Sequence, residues 1–260
     1  MPRKLPFAEL QISHFVKDVF RAAMHSQVEL GDRHPARVKP HYERDPDEHE
    51  FYMLKVGNAL AALLTCCEHL QNIPLFLSNY HETPSMKHAG INRKRHIVFH
   101  IESYIIRVQG LFDRVLKLID AIFHLLNDPK NCRSHIILKN LKVKHHATVL
   151  SAVKKLEKLL ERYAEQRNEV IHAGSFQEDR LRILEMYYIV EDAERIEGKP
   201  PSFDYADLKS GMTREIVTDK KKEFKAFNVE LAACLIEVFA VLAPCYTKEE
   251  HALRLRLGKH

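Results

Sequence analysis

The chain has 260 residues, 45% of them hydrophobic, so it can bury a sizeable core as one large domain or two modest ones, and we expect one. With only 8 glycines and 11 prolines, it lacks the turn residues that a β-sandwich, a β-barrel or a glycine-rich nucleotide loop requires, which favours an all-α fold. The formal net charge of +5 permits contact with phosphate-bearing partners without requiring it.

Residues 8–24 alternate apolar and polar side chains at helical spacing and predict a short leading helix. The stretch 31–47 carries three prolines among many charges and is typical of a solvated connector. Apolar residues at 3,4 spacing over 53–70 predict a second helix that stops before Pro74. A further connector is expected over 78–90.

The strongest helical signal covers residues 97–125, where apolar residues recur at 4,3 spacing throughout. Such a helix is about 50 Å long at ~1.5 Å per residue. Pro129 closes it, and the basic stretch 130–145 is expected to be a connector with a turn of helix around Ile136 to Leu141. The stripe that opens at Val149 predicts another helix, which ends at Gly174.

Two more helices are predicted, over 177–196 and from about 212 to 243. Several long helices with apolar stripes, joined by short to medium connectors, favour an antiparallel helical bundle with additional N-terminal helices. The expected organisation is a single helical domain, 1–260, with N-terminal helices and connectors in 1–90, the bundle core in 91–243 and a C-terminal tail in 244–260.

The chain shows no sign of a metal centre, a cofactor or a membrane segment. Its five cysteines are Cys66, Cys67, Cys132, Cys234 and Cys245. They lack CxxC spacing and mostly lie in apolar stretches, which is typical of reduced, buried thiols, so we expect no metal and no cofactor. The N-terminus lacks a secretory signal, and the most apolar run, 231–244, is too short for a membrane span and contains Glu237. We therefore expect a cytoplasmic protein with no membrane contact.

The polar segment before Gly174 stands out, because continuing the apolar stripe past Tyr163 leads to Arg167. A core-facing arginine costs several kcal/mol to desolvate unless it is paired, so Arg167 belongs either to a structural ion pair or to a functional site. Asn168 and His172 share one side of the helix, whereas Arg167 and His172 lie about 140° apart on a straight helix. They reach one phosphate only if the last turn before Gly174 unwinds, or if a two-fold partner brings a second copy of the motif.

Arg167, Asn168 and His172 resemble the Arg-x4-6-His signature of the HEPN superfamily, in the variant where Asn follows Arg. The resemblance implies a HEPN-like helical bundle and a metal-independent endoribonuclease that acts as a homodimer, with two motifs facing each other. It implies that Arg167 stabilises charge developing on the scissile phosphate. It also implies that His172 is the general acid or base for attack by the ribose 2′-hydroxyl, and that Asn168 orients the phosphate or the histidine.

The same resemblance implies RNA as the partner molecule, and a role as a toxin with an antitoxin, in defence, or in RNA processing. In one subgroup of the family, a nucleotidyltransferase partner modifies a tyrosine two residues after the histidine. This chain has Gly174 at that position, which departs from the pattern of that subgroup.

Other charged residues of the long helix are candidates for supporting roles. Glu102 interrupts an apolar stripe and is the candidate partner of Arg167, either in a buried salt bridge that fixes helix register or as a group that orients the arginine. Arg107, Arg114 and Lys117 follow the opposite face, and such a line either contacts a phosphate backbone or forms a solvated surface.

Three hypotheses about function follow from the sequence. The first is a HEPN-like ribonuclease. The second is a non-catalytic module of the same fold that binds RNA or dimerises through the motif. The third is a helical adaptor that binds other proteins, with Arg167 in an ordinary ion pair.

Overall fold

The computed structural model describes residues 5–31, 44–172 and 174–258. Within these ranges every regular element is a helix and no strand occurs, which confirms the predicted all-α class. The α-helices are α1 (Ala8–Gln11), α2 (His14–Glu29), α3 (Glu48–Phe76), α4 (Pro84–His88), α5 (Arg93–Ile122), α6 (Ser134–Ile137), α7 (Leu141–Lys144), α8 (Ala147–Leu160), α9 (Ala164–His172), α10 (Asp179–Ile196) and α11 (Tyr205–Arg256). Short 3-10 turns lie at Pro129–Asn131 and Glu161–Tyr163.

The leading segment forms two helices rather than the single helix predicted over 8–24. The break falls at Ser13, whose hydroxyl accepts a hydrogen bond from the backbone N–H of Val16 at 3.3 Å. This is the N-cap arrangement that satisfies a free donor in the first helical turn, so it starts α2 afresh. Most of the expected connector 31–47 lies outside the described residues.

Helix α3 passes through Pro74 and ends at Phe76, so the prediction that it stops before the proline was wrong. Proline lacks an N–H and leaves the carbonyl four residues earlier, that of Leu70, without its helical donor. The side-chain amide of Asn228 donates to that carbonyl oxygen at 3.0 Å. A tertiary hydrogen bond therefore replaces the one that the proline removes.

Helix α5 begins at Arg93 and ends at Ile122, before the Asp128-Pro129 boundary that the sequence suggested. His124 and Leu126 have φ angles of 48° and 58°, in the left-handed region that ends a right-handed helix. Beyond them, the basic connector contains two short helices, α6 and α7, where a single turn around Ile136 to Leu141 was expected.

The helix predicted from Val149 to Gly174 is interrupted by the 3-10 turn at Glu161–Tyr163. A 3-10 turn advances about 120° per residue instead of about 100°. The straight α-helical spacing that extended the apolar stripe past Leu160 therefore does not hold through this turn.

Helix α11 starts at Tyr205 and continues through Pro244 to Arg256, so it is longer at both ends than predicted. An 18-residue window of α11 has a mean hydropathy of 2.0, and the helix is long and apolar enough to cross a membrane. Half of that window is buried inside the structure. One such helix is weak evidence for a span, because buried core helices meet the same criterion.

The chain divides into two compact units. The first consists of the described residues of Met1–Glu68, Gly110–Leu160 and Val229–His260. In it, the hydroxyl of Tyr52 donates to the carbonyl of Ile122 at 3.0 Å, and Lys55 pairs with Asp120 at 2.6 Å. From the first pair to the second, the residue number rises along α3 and falls along α5, so the two helices run antiparallel in this unit.

The second unit consists of the described residues of His69–Gln109 and Glu161–Asn228, and it contains α9 and α10. Its core is aromatic: the rings of Tyr104 and Phe224 stack with centroids 3.7 Å apart, and Tyr163 packs edge-on against Phe227 at 4.9 Å. The hydroxyl of Tyr104 donates to the side-chain oxygen of Asn228 at 2.9 Å, deep in this core.

Candidate functional site

The predicted motif lies on α9, a helix without a single buried residue. Asn168 and His172 are exposed, and Arg167 is half-buried. The Arg167 guanidinium donates from Nη1 to the Oδ1 of Asn168 at 3.1 Å, which leaves its other N–H groups available. The motif side chains are thus accessible from solvent.

Glu102 does not form the ion pair with Arg167 that the sequence suggested. Its Oε1 instead accepts hydrogen bonds from the hydroxyl of Ser175 at 3.0 Å and from the backbone N–H of Phe176 at 2.8 Å. Among residues 5–31, 44–172 and 174–258, no carboxylate pairs with Arg167. The structural interpretation of Arg167 as half of a buried salt bridge was therefore wrong for the part of the chain described.

The chain leaves α9 through a turn that two carboxylates hold. Gly174 adopts a φ of 81°, which only glycine takes without strain. The Oε1 of Glu169, within the motif, accepts from the backbone N–H of Gln177 at 3.1 Å, and Glu102 binds Ser175 and Phe176 as described above. The turn is therefore anchored both to α9 itself and to α5.

Phe176 anchors this turn in the core of the unit, since its side chain is only 7% exposed. The ammonium of Lys220 lies 5.3 Å from the centre of the Phe176 ring. Lys220 also forms ion pairs with Glu178 at 3.4 Å and Glu223 at 3.0 Å. The sequence pattern did not reveal these contacts, because Phe176 is an isolated apolar residue outside the helical stripes.

Tyr163 anchors the other end of α9. Its ring is buried, and its hydroxyl donates to the Oε1 of Glu223 at 2.8 Å. Burial, with the nearby Tyr104 and Glu223, raises the pKa of Tyr163 far above its ordinary value, so the phenol stays protonated and keeps donating. The motif helix is consequently fixed at both ends, while Arg167 stays half-buried and Asn168 and His172 stay exposed.

The two principal motif side chains do not point the same way. Helix α9 is regular through His172, so Arg167 and His172 lie about 140° apart around its axis. The alternative in which the last turn unwinds is not seen up to His172, and Ala173 is outside the described residues. Within one copy of the chain, Arg167 and His172 therefore do not converge on one phosphate.

Two of the three basic residues predicted along α5, Arg107 and Arg114, donate hydrogen bonds to backbone carbonyls of their own helix. In the second unit, Arg107 donates to the carbonyl of Ser103 at 3.0 Å and lies 3.5 Å from the Nδ1 of His69. In the first unit, Arg114 donates to the carbonyl of Gly110 at 2.6 Å, and Lys117 is exposed. RNA contact by these residues stays a prediction.

No cluster of three or more metal-ligating side chains occurs in the described ranges. The five cysteines, all within the described ranges, form no disulfide: Cys66, Cys67, Cys234 and Cys245 are buried, and Cys132 is half-buried. Burial raises the pKa of the Cys245 thiol, so this cysteine is poorly suited to act as a nucleophile.

Comparison with protein families matches residues 49–228 to the Cthe2314-like HEPN family. The match covers more than half of the chain and includes Glu102 and the whole of α9 and α10. No curated protein and no solved structure matches the chain significantly.

Proposed function

The chain belongs to the HEPN family, and from this membership and the geometry of α9 we propose that it is a metal-independent endoribonuclease whose catalytic residues are Arg167, Asn168 and His172. The observation that carries the proposal is that Arg167 is only half-buried and is hydrogen-bonded to Asn168 rather than to a carboxylate. Its guanidinium lies on a helix with no buried residue and has no carboxylate partner among the described residues. A planar fork of free N–H donors is the group best suited to bind a phosphodiester.

The proposed reaction is transesterification followed by release of the 5′ product. The ribose 2′-oxygen attacks the adjacent phosphorus, and the bond from phosphorus to the 5′-oxygen breaks, which leaves a 2′,3′-cyclic phosphate and a 5′-hydroxyl. A base takes the 2′-hydroxyl proton, and an acid returns a proton to the departing 5′-oxygen; the imidazole of His172 serves in either role. Arg167 stabilises the negative charge that develops on the phosphorane oxygens, and Asn168 holds the guanidinium in place.

A homodimer completes the proposed site, because Arg167 and His172 diverge within one chain. Helix α10 follows the motif turn and exposes Ile183, Met186 and Val190 at 3,4 spacing, with Met186 60% exposed. Ile171 of the motif helix is also exposed. An uncovered apolar stripe on the helix that follows the incomplete site supports a second copy of this chain as the partner.

RNA cleavage in the presence of EDTA tests the catalytic proposal. We expect the wild-type protein to cut single-stranded RNA and to leave 2′,3′-cyclic phosphate ends, whereas Arg167→Ala and His172→Ala lose activity by at least 100-fold. The matched controls are Arg21→Ala and His81→Ala, which remove an exposed residue of the same type outside the motif and outside α10. They should cleave like the wild type.

Two outcomes would contradict the catalytic proposal. Equal cleavage by wild type and both motif variants would indicate a contaminating nuclease. RNA binding without cleavage, lost in Arg167→Ala, would instead support a non-catalytic RNA-binding module of the same fold.

Light scattering during gel filtration tests the homodimer. The expected mass is twice the 30.3 kDa of the single chain. Met186→Glu places a charge in the apolar stripe and should give a monomer with reduced cleavage, while Met24→Glu, at a 64% exposed position of α2, should remain dimeric and active. A wild-type protein that elutes as a monomer at assay concentrations while cleaving RNA would refute the dimeric site.

A further inference from the structure

A second candidate binding site lies in the same unit as the motif but shares no residue with it. It is a cavity of about 390 Å³, between the start of α5, the middle of α10 and the early turns of α11. Its lining residues are Arg93, Tyr188, Lys209, Ser210, Thr213 and Arg214. Three cations, two aliphatic hydroxyls and one phenol make this lining rich in hydrogen-bond donors, and it contains no carboxylate.

The charges of the three cations are unequally compensated. Lys209 forms an ion pair with Glu191 and lies 4.6 Å from the centre of the Tyr188 ring. Arg214 is exposed, and among the residues that the structure describes it has no carboxylate partner. The cavity therefore keeps positive charge that its own walls do not neutralise.

Arg93 gives the strongest indication that the cavity binds an anion. Its Nη2 donates to the carbonyl of Leu77 at 2.7 Å, and its guanidinium lies 5.2 Å from the centre of the Tyr80 ring. Its Nη1 is buried and has no acceptor within the described ranges. An unpaired charged donor removed from water is costly, so a site of this kind favours an anion that supplies the missing acceptor.

We propose that this cavity binds a phosphate group, carried by a ligand no larger than a single nucleotide. Arg93, whose Nη1 lacks an acceptor, and Arg214 supply the charged donors for the phosphate oxygens, and the hydroxyls of Ser210 and Thr213 supply two further donors. The volume fits a small ligand, since such sites span about 300–1,000 Å³. Binding here does not depend on the ribonuclease proposal, because none of the lining residues belongs to the motif.

Isothermal titration of the full-length protein at constant ionic strength tests the site with inorganic phosphate, adenosine monophosphate and adenosine. We expect saturable binding of the two phosphate-bearing probes and none of adenosine. Arg214→Ala should weaken that binding by roughly tenfold or more, because it removes a charge-assisted hydrogen bond. The matched control is Lys222→Ala, which removes an exposed charge two turns further along the same helix and should bind like the wild type.

Arg93→Lys provides a second variant that keeps the positive charge and loses the planar fork. It should also weaken phosphate binding while melting within a few degrees of the wild type. The proposal is overturned if neither phosphate-bearing probe binds, if adenosine binds as well as its monophosphate, or if Arg214→Ala and Lys222→Ala lose affinity equally. Binding that survives Arg214→Ala and disappears in His172→Ala would assign the phosphate to the motif instead.

Discussion

Replacing Glu102 by alanine should release the turn that follows the motif helix. One carboxylate oxygen of Glu102 accepts two hydrogen bonds, from the Ser175 hydroxyl and the Phe176 amide, and these bonds tie the turn to α5. In Glu102→Ala the Phe176 N–H loses its acceptor, while the Phe176 ring keeps its packing beneath Lys220. The fold should survive with a looser exit from α9.

The size of the effect follows from the two hydrogen bonds. Bonds to a charged acceptor contribute about 1.5–3 kcal/mol each, and Glu102 is only half-buried, so we expect at most twice the low end, a total loss of about 2–3 kcal/mol in the free energy of unfolding. For a chain of this length, that loss lowers the melting temperature by about 4–12 °C. Glu102→Gln keeps an oxygen acceptor and loses only the charge, so it should cost less than half as much.

Hydrogen exchange at the Phe176 backbone amide directly measures the loss of its hydrogen bond to Glu102. Exchange should accelerate at least tenfold in Glu102→Ala and much less in Glu102→Gln, with RNA cleavage reduced in the same order because the motif helix is less firmly held. The amides of α2, in the first unit, serve as an internal control. Unchanged exchange at Phe176 in Glu102→Ala would refute the role assigned to Glu102.

Two further predictions concern the second unit. Asn228→Ala leaves the Leu70 carbonyl without a donor and removes the closest acceptor of the Tyr104 hydroxyl, so urea denaturation should show a loss of about 2–4 kcal/mol; a loss below about 1 kcal/mol would contradict the account of Pro74. His100 should make the protein less stable in mild acid: burial, with the nearby His96 and Arg93, lowers its pKa to about 4. The unfolded chain binds a proton there near pH 6.5 and the folded chain does not, so stability falls as the pH drops from about 6.5 to about 4. Because the ring is partly exposed, we expect about 1 kcal/mol from this residue. Urea titrations of His100→Gln should show a flatter pH dependence, and an unchanged slope would contradict the assignment.

The positions of the long helices could be predicted from the sequence, because 3,4 apolar spacing directly reports which side is buried. Their ends could not. Helix α3 continues through Pro74 because Asn228, far away in sequence, supplies a donor to the Leu70 carbonyl. Local propensity contains no information about a partner 158 residues away, so a rule that ends helices at prolines fails here.

The motif residues were also readable from the sequence, but their surroundings were not. Arg167 was expected to face the core because the stripe of α8 was extended along a straight helix. The 3-10 turn at Glu161–Tyr163 interrupts that helix, so the straight spacing that placed Arg167 in the stripe does not hold past Leu160. The partners of Glu102 depend on the turn at Gly174, whose path no periodicity reveals.

The most direct measurement of the central claim compares two RNA oligonucleotides in EDTA, one all-ribose and one with a single 2′-deoxy nucleotide at the preferred cleavage position. If Arg167 and His172 promote attack by the 2′-hydroxyl, mass spectrometry of the all-ribose oligonucleotide will show a 2′,3′-cyclic phosphate on one product and a 5′-hydroxyl on the other. The modified position will remain intact, and His172→Ala will cut neither oligonucleotide. Cleavage at the 2′-deoxy position, or ends that carry a 5′-phosphate, would contradict the account.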